Sequence, residues 1–182
     1  MTTMDSESPA NCDVLVIGRG PAGSTIAALL ARQGRDVVLL EKDRHPRFHI
    51  GESLLPANAA LFDQLGLRAE VERIGQTKWG IEFVSPQHAH SSFLEFGDAW
   101  NKSMPYAWQV RRSELDQILF RHAASRGART LEGCKVQQVA FDADGKPSRA
   151  TQAFADSCGV PVESLGRVET PKGAWLHYSA EV

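Results

Sequence analysis

The hydrophobic pattern near the start of the chain consists of two short apolar runs separated by a helical stretch. Residues Val14–Ile17 form a β-branched run that is typical of a buried parallel strand. Residues Pro21–Gln33 predict a helix, one face of which carries Ala22, Ile26, Leu29 and Leu30. Gly34 closes this helix, and Asp36–Leu40 predicts a second strand. The order strand, helix, strand predicts a βαβ unit and therefore an α/β fold.

Three glycines, Gly18, Gly20 and Gly23, have the spacing G-x-G-x-x-G between the first strand and the helix. In a βαβ unit the first glycine permits a tight turn, the second lets the backbone approach a pyrophosphate, and the third lets helix and strand pack closely. The anion then lies at the helix N-terminus. Glu41 ends the second strand, at the spacing of a carboxylate that hydrogen-bonds an adenosine ribose. The pattern predicts a dinucleotide site, and a glycine turn without a ligand is the alternative.

Two later segments also have readable patterns. Ser53 is placed to cap a helix with Pro56 in its first turn, so that backbone N–H groups there would face outward toward an anion; a plain capped turn is the alternative. Tyr106–Val110 predicts a strand, and Ser113 predicts the start of a helix that runs to about Ala124. The apolar face of that helix carries Leu115, Ile118 and Leu119.

Composition narrows the function classes. The 182 residues carry a formal net charge of −2, which gives no electrostatic case for nucleic acid or a membrane surface. The three cysteines share no CxxC spacing, so neither a zinc site nor a disulfide framework is indicated, and a cytoplasmic location is expected. Residues 1–11 predict a flexible leader, and no apolar run approaches the ~20 residues of a membrane span. The histidines at 45, 49, 88, 90 and 122 show no pairing that suggests metal ligands.

Longer stretches give a more specific resemblance. They are "GPAG" at 20–23, "LLEKD" at 39–43, "HPRFHIGESLLPANAALFDQLGL" at 45–67, "KWGIEF" at 78–83 and "YAWQVRRSELDQILFRHAASRGA" at 106–128. With these stretches, residues 12–139 resemble the N-terminal FAD-binding part of FADH2-dependent, tryptophan-halogenase-like halogenases and of FAD-dependent monooxygenases. The resemblance implies an incomplete Rossmann-type FAD-binding domain, with a parallel sheet and helices.

The resemblance also implies roles for particular residues. Lys78 falls where the halogenases carry the lysine that handles hypohalous acid, although a solvated lysine at a strand start is the alternative. Arg112, rather than Arg111, matches the arginine that contacts the cofactor. The cofactor-binding residues implied are Gly18, Gly20, Pro21, Ala22, Gly23, Glu41, Lys42, Gly51, Glu52, Ser53, Arg112 and the backbone of Val136. Trp79, Trp100 and Trp108 either stack on an aromatic substrate or belong to the core.

The implied cofactor is FAD, and the implied partners are a small-molecule substrate, a halide and a separate flavin reductase. Neither nucleic acid, a membrane nor a metal is expected. The parent reaction would be FADH2- and O2-dependent halogenation of an electron-rich organic compound. A hydroxylating monooxygenase and a prenyl-group reductase on the same scaffold are the alternatives.

The last stretch has a different resemblance. Residues 140–182 resemble a segment of the β subunit of bacterial glycyl-tRNA synthetase, through "AFDADGKPSRA", "SCGV" and "ETPKGAWLHY". This segment is expected to be a short α+β piece, with a helix at Ser148–Asp156 and a hairpin of Val168–Thr170 with Ala174–Tyr178. A β-meander of the flavin domain is the alternative. The chain is thus expected to join parts of two incomplete proteins near Val139–Ala140. We expect such a chain to have little or no catalytic activity. The competing function is that of an accessory segment of a tRNA synthetase.

Overall fold

The computed structural model describes residues 12–44, 46–98, 105–141, 143–144, 147–154, 167–169 and 176–177. The expected leader, residues 1–11, and Trp100 lie outside these ranges. The chain divides into two compact units, one of residues 1–47 with 116–182 and the other of residues 48–115. No helix in the described ranges is both long enough and apolar enough to cross a membrane.

The first unit is built on a parallel sheet, as the βαβ pattern predicts. Its strands are β1 (Val14–Ile17), β2 (Val37–Glu41), β7 (Arg129–Glu132) and β11 (Leu176–His177), and their order is β11-β1-β2-β7. The register pairs Val14 with Val37, and Glu41 with Glu132. All residues of β2 are buried, as expected for a central parallel strand that is covered on both faces.

Helix α1 (Pro21–Arg32) forms where the sequence predicts it, but it buries a different face. The buried residues are the small ones: Gly23, Ser24, Thr25, Ala27 and Ala28. Ala22 is exposed, and Ile26, Leu29 and Leu30 are only partly buried, so the predicted apolar face is wrong. Small side chains let the helix axis approach the sheet closely, and this close approach decides which face is covered.

The other face of the sheet contributes to an apolar core. The buried side chains of Cys12, Leu15, Val38, Leu40 and Cys134 pack together, and Ile17, Val136 and Val139 pack against them. Leu15 and Leu40 are completely buried. Cys134 and Val136 belong to β8 (Cys134–Phe141), so that strand covers this face of the sheet.

The tail pairs with β8 in an antiparallel arrangement. β8 pairs with β9 (Pro147–Phe154), and β9 pairs with β10 (Arg167–Glu169). The helix predicted at Ser148–Asp156 is therefore wrong, because its residues through Phe154 form β9. The predicted hairpin is also wrong, because β10 pairs with β9 while β11 pairs in parallel with β1. Residues 170–175 lie outside the described ranges.

Helix α4 (Arg112–Ser125) begins one residue before the predicted cap at Ser113, which therefore lies in its first turn. Leu115 and Leu119 are buried as predicted, and Ile118 is only partly buried. Asp116 and Phe120 are also buried.

Within the ranges that the structure describes, the second unit holds two small antiparallel pairs of strands and two helices. The elements are α2 (Ala57–Leu65), α3 (Arg68–Ile74), β3 (Gly75–Lys78), β4 (Gly80–Phe83), β5 (Ser92–Glu95) and β6 (Ala107–Val110), with a single 3-10 turn at Phe96–Asp98. β3 pairs with β6, and β4 pairs with β5. Trp108 is 1% exposed, the largest fully buried side chain among the described residues, and packs against Phe62 and Tyr106.

Candidate functional site

The glycine-rich turn adopts the geometry that the G-x-G-x-x-G spacing predicts. Gly18 has a φ of 91°, in the left-handed region that favours glycine, and its N–H donates to the carbonyl of Leu40 at 2.8 Å. A Cβ on Gly23 would lie 1.9 Å from the carbonyl oxygen of Gly18. The third position therefore has no room for a side chain in this backbone.

The start of α1 fits an anion. Gly20 occupies the N-cap position and offers no side-chain cap, and Pro21 occupies the first helical position. The first-turn N–H groups belong to Ala22 and Gly23, which follow directly. Uncapped first-turn N–H groups and the positive end of the helix dipole are the features that bind a pyrophosphate. The residues present therefore fit the cofactor that the sequence predicts.

Glu41 lies at the C-terminal end of β2, beside this turn, and its side chain is buried. Its Oε2 accepts a hydrogen bond from the backbone N–H of Arg19 at 2.9 Å, and its Oε1 accepts one from the N–H of Asp43 at 2.9 Å. The two bonds fix the orientation of the carboxylate relative to the turn. Lys42, the next residue, is exposed. The contacts of both residues with an adenosine ribose stay predictions.

Arg19 is a residue that sequence reasoning missed. Its side chain, 1% exposed, forms an ion pair with Glu132 (Nη2 to Oε1, 3.0 Å) and stacks on the ring of Phe120, 4.0 Å from its centroid. No local signal in the sequence marks this burial, because an arginine in a glycine-rich turn is ordinarily exposed to water.

In the second unit, the segment that contains Gly51, Glu52 and Ser53 runs antiparallel to β6. The carbonyl of Glu52 accepts the N–H of Val110 at 2.9 Å, and Ser53 lies directly opposite Gln109. Ser53 is therefore paired with a strand. The prediction that Ser53 caps a helix is wrong. α2 begins at Ala57, and the side chain of Asn58 accepts the N–H of Leu55 there.

Arg112 holds this segment in place. Its Nη1 donates to the carbonyl of Ile50 at 3.0 Å and to that of Gly51 at 3.3 Å. Gly51 has a φ of 94°, and a Cβ there would lie 2.9 Å from Nη1 of Arg112. Arg111, in contrast, is 81% exposed and pairs with Glu114 at 3.6 Å. The structure thus distinguishes the two arginines, while the contact of Arg112 with a cofactor stays a prediction.

Lys78 ends β3, and its ammonium donates a hydrogen bond to Oγ of Ser53. Lys78 pairs with Ala107 on one side of β6, and Ser53 pairs with Gln109 on the other. Since residues 107 and 109 share a face of the strand, the lysine reaches Ser53 across the small Ala107. Its Nζ also lies 5.3 Å from the ring centroid of Phe96, and partial burial lowers the pKa of Lys78. Within this unit, two pairs of predicted site residues are therefore in direct contact, Lys78 with Ser53 and Arg112 with Gly51.

The remaining candidate residues, Val136 and the tryptophans, differ in their burial. Val136 lies in β8 at a register shift and packs against the apolar core, and its backbone contact with a cofactor stays a prediction. Trp108 belongs to the core, whereas Trp79 is 61% exposed with its ring 5.5 Å from that of Tyr106. The described residues contain no group of three or more His, Cys, Asp or Glu side chains that could hold a metal ion.

A parallel sheet with a glycine-rich turn, an uncapped helix start and a carboxylate after the second strand defines a Rossmann-type dinucleotide-binding fold. The comparisons with known proteins identify the family: residues 11–157 match the FAD binding domain, and the chain belongs to this family. FAD is therefore its cofactor.

Individual proteins that resemble the chain are flavin-dependent halogenases. The chain is 42% identical over 156 residues to the flavin-dependent halogenase gsfI of Penicillium aethiopicum, covering 86% of this chain and 29% of that protein. It is 44% identical over 135 residues to the flavin-dependent halogenase rdc2 of Metacordyceps chlamydosporia, covering 74% and 24%. Among solved structures, the myxobacterial chondrochloren halogenase CndH superposes with a TM-score of 0.77 at 30% identity, covering 89% of this chain and 36% of that one. The chain spans a quarter to about a third of the length of these relatives.

Proposed function

We propose that the chain is the FAD-binding part of a flavin-dependent halogenase that acts on an electron-rich small molecule. The observation that carries the proposal is the environment of Lys78, a partly buried ammonium bonded to Ser53 beside the ring of Phe96. The halogenase names of the relatives support the same reading. A lysine at a strand end usually extends into water, and this one instead lies across its own sheet.

The parent reaction balances as follows. Reduced FAD supplies two electrons, so that FADH2, O2, a halide ion and a proton give FAD, hypohalous acid and water. The hypohalous acid then exchanges its halogen for a hydrogen of the substrate, and water is released. In this reaction, the turn at Gly18–Gly23 binds the pyrophosphate. Nζ of Lys78 donates a hydrogen bond to the hypohalous oxygen, and Ser53 keeps that ammonium oriented.

The partners in the proposal are the halide, the small-molecule substrate and a separate flavin reductase in the cytoplasm. Because the chain covers so little of its relatives, we expect FAD binding with little or no turnover by this chain alone. The opposite finding, measurable halogenation, would contradict that expectation.

The test has two stages. A titration with FAD, followed by flavin fluorescence, should saturate in the wild-type chain and fail in Gly20→Trp, where the indole blocks the approach of the pyrophosphate. Absence of saturable binding by the wild-type chain would overturn the proposal.

The second stage supplies a flavin reductase, NADH, O2, bromide and a phenol, and follows the mass of the product. Bromine in a product that disappears in Lys78→Met, but persists in the exposed control Lys135→Met, would identify the halogenase reaction. Added oxygen or hydrogen would instead identify the hydroxylase or reductase alternative. If FAD binds but no product forms, the result agrees with a cofactor-binding part that needs the rest of its enzyme.

The synthetase-like character of residues 140–182 stays a prediction, as does the join near Val139–Ala140. The match to the FAD binding domain continues to residue 157, so the two resemblances overlap at the start of the tail. A single long sequence read across the codons of Val139 and Ala140 tests whether the join exists in the gene. Association with a glycyl-tRNA synthetase α subunit tests the competing function, and we expect none.

A further inference from the structure

Arg19 occupies an unusual place in the pyrophosphate-binding turn. It lies between Gly18 and Gly20, where a side chain could extend toward the anion, yet it is buried beneath the turn. Its backbone is bound on both sides, because its N–H donates to Oε2 of Glu41 and its carbonyl accepts the hydroxyl of Ser24 at 2.8 Å. The backbone of Arg19 therefore links the carboxylate of Glu41 to the start of α1.

The surroundings of the guanidinium are mainly negative. Glu132 lies 3.0 Å from Nη2, and the carboxylates of Glu41 and Asp116 are close enough to act on its charge, as is the cationic Arg47. Glu41 and Asp116 are buried, and register pairs Glu41 directly with Glu132. Like charges on directly opposite strand residues destabilise a sheet, and here one guanidinium offsets them.

The contact with the ring of Phe120 orients the guanidinium of Arg19. The guanidinium carbon lies 4.0 Å from the ring centroid of Phe120, on α4, and Nε makes no hydrogen bond within the described residues. A residue that served only packing would not require a buried charge, since an apolar side chain of similar volume fills such a space at lower desolvation cost.

We propose that Arg19 is a positioning residue for FAD: by neutralising Glu132, Glu41 and Asp116, it holds Glu41 and the glycine turn in the geometry that receives the adenosine ribose and the pyrophosphate. It acts through these groups and does not touch the cofactor. Without it, the negative charge of these carboxylates would be less well balanced beside a site that must accept a doubly charged anion. This role concerns FAD binding alone, and it does not depend on the halogenation proposal.

The experiment is a charge rescue measured by FAD titration at low ionic strength. Arg19→Gln should weaken FAD binding about tenfold or more, and the double variant Arg19→Gln with Glu132→Gln should recover most of the loss. Arg19→Lys keeps the charge without the planar fork, so its affinity should lie between those of Arg19→Gln and the wild type. Arg35→Gln, an exposed arginine of the same unit, is the matched control and should bind as the wild type does.

A salt series adds a readout that packing would not change. The loss of FAD affinity in Arg19→Gln relative to the wild type should shrink as the salt concentration rises, because salt screens the repulsion between the carboxylates and the pyrophosphate. Circular dichroism checks that each variant is folded. If Arg19→Gln does not fold, Arg19→Lys and the salt series of that variant carry the test.

Three results would overturn the proposal. One is a folded Arg19→Gln that binds FAD normally. Another is a double variant as weak as Arg19→Gln, together with a loss of affinity that salt does not change, which would reduce Arg19 to packing. The third is a wild-type chain that shows no saturable FAD binding.

Discussion

Gly23→Ala is the substitution for which the structure gives the clearest magnitude. The added Cβ would lie 1.9 Å from the carbonyl oxygen of Gly18, 3.1 Å from its carbonyl carbon and 3.3 Å from Cγ1 of Val16. Real Cβ atoms essentially never come within 3.0 Å of such a neighbour, so the turn and the helix must separate. The obstacle is backbone on one side and a buried strand residue on the other, and neither moves freely.

The expected cost is the difference of two effects. Alanine favours a helix over glycine by about 1 kcal/mol, which stabilises the variant. Overpacking a close backbone contact costs about 3 kcal/mol at the upper end of its usual range. The net destabilisation is about 2 kcal/mol, which corresponds to a melting temperature lower by about 4–8 °C for a chain of this size.

The same movement should impair the cofactor site. Opening the turn displaces the carbonyl of Gly18 and the first-turn N–H groups of α1, so we expect FAD affinity to fall about tenfold or more. Thermal unfolding by circular dichroism measures the first effect, and fluorescence titration measures the second.

Gly97→Ala is the control, because among the described residues the added Cβ would meet Cβ of Pro105 alone, at 4.0 Å. The control should melt and bind FAD like the wild type. A Gly23→Ala chain that melts at or above the wild-type temperature and binds FAD normally would refute the reasoning.

Two further predictions concern ionisable groups. Ser53→Ala should lower the pKa of Lys78 further, because the hydroxyl that is lost accepts a hydrogen bond from the charged ammonium. Ser53→Thr keeps a hydroxyl and should keep the pKa of the wild type. NMR of isotopically methylated lysines measures this pKa, and an unchanged value in Ser53→Ala would contradict the contact. Burial raises the pKa of Cys12 and of Cys134 from 9.0 to about 11. In a Cys158→Ser chain, these two thiols should therefore resist Ellman's reagent at neutral pH until the chain unfolds, and rapid labelling of the folded chain would disprove this. Their contribution to the free energy of unfolding should be complete below pH 9.0 and lost as the pH rises through about 11.

Local signals predicted much of the first unit. Val14–Ile17 and the segment around Val37–Glu41 form parallel strands because continuous β-branched and aliphatic runs suit strands that are buried on both faces. The glycine spacing predicted a tight turn at Gly18 and close packing at Gly23, and the structure has a positive φ at Gly18 and no room for a Cβ on Gly23.

Other features depended on contacts that no local pattern encodes. The helix predicted at Ser148–Asp156 is a strand through Phe154 because pairing with β8 satisfies its backbone, and tertiary pairing overrides local propensity. Likewise, the face of α1 that is covered was set by the close approach of small residues to the sheet, and not by its larger apolar side chains.

The sequence by itself determined the class of fold, the cofactor turn and the chemical types available, because strand periodicity, glycine freedom and residue chemistry are local properties. Only the tertiary structure decided that Arg19 is buried against Glu132 and Phe120, that Arg112 holds the carbonyls of Ile50 and Gly51, and that Lys78 meets Ser53 across Ala107. The residues in each of these contacts lie 25 to 113 positions apart, and long side chains contact partners according to three-dimensional proximity and charge. Spacing along the chain cannot supply that information.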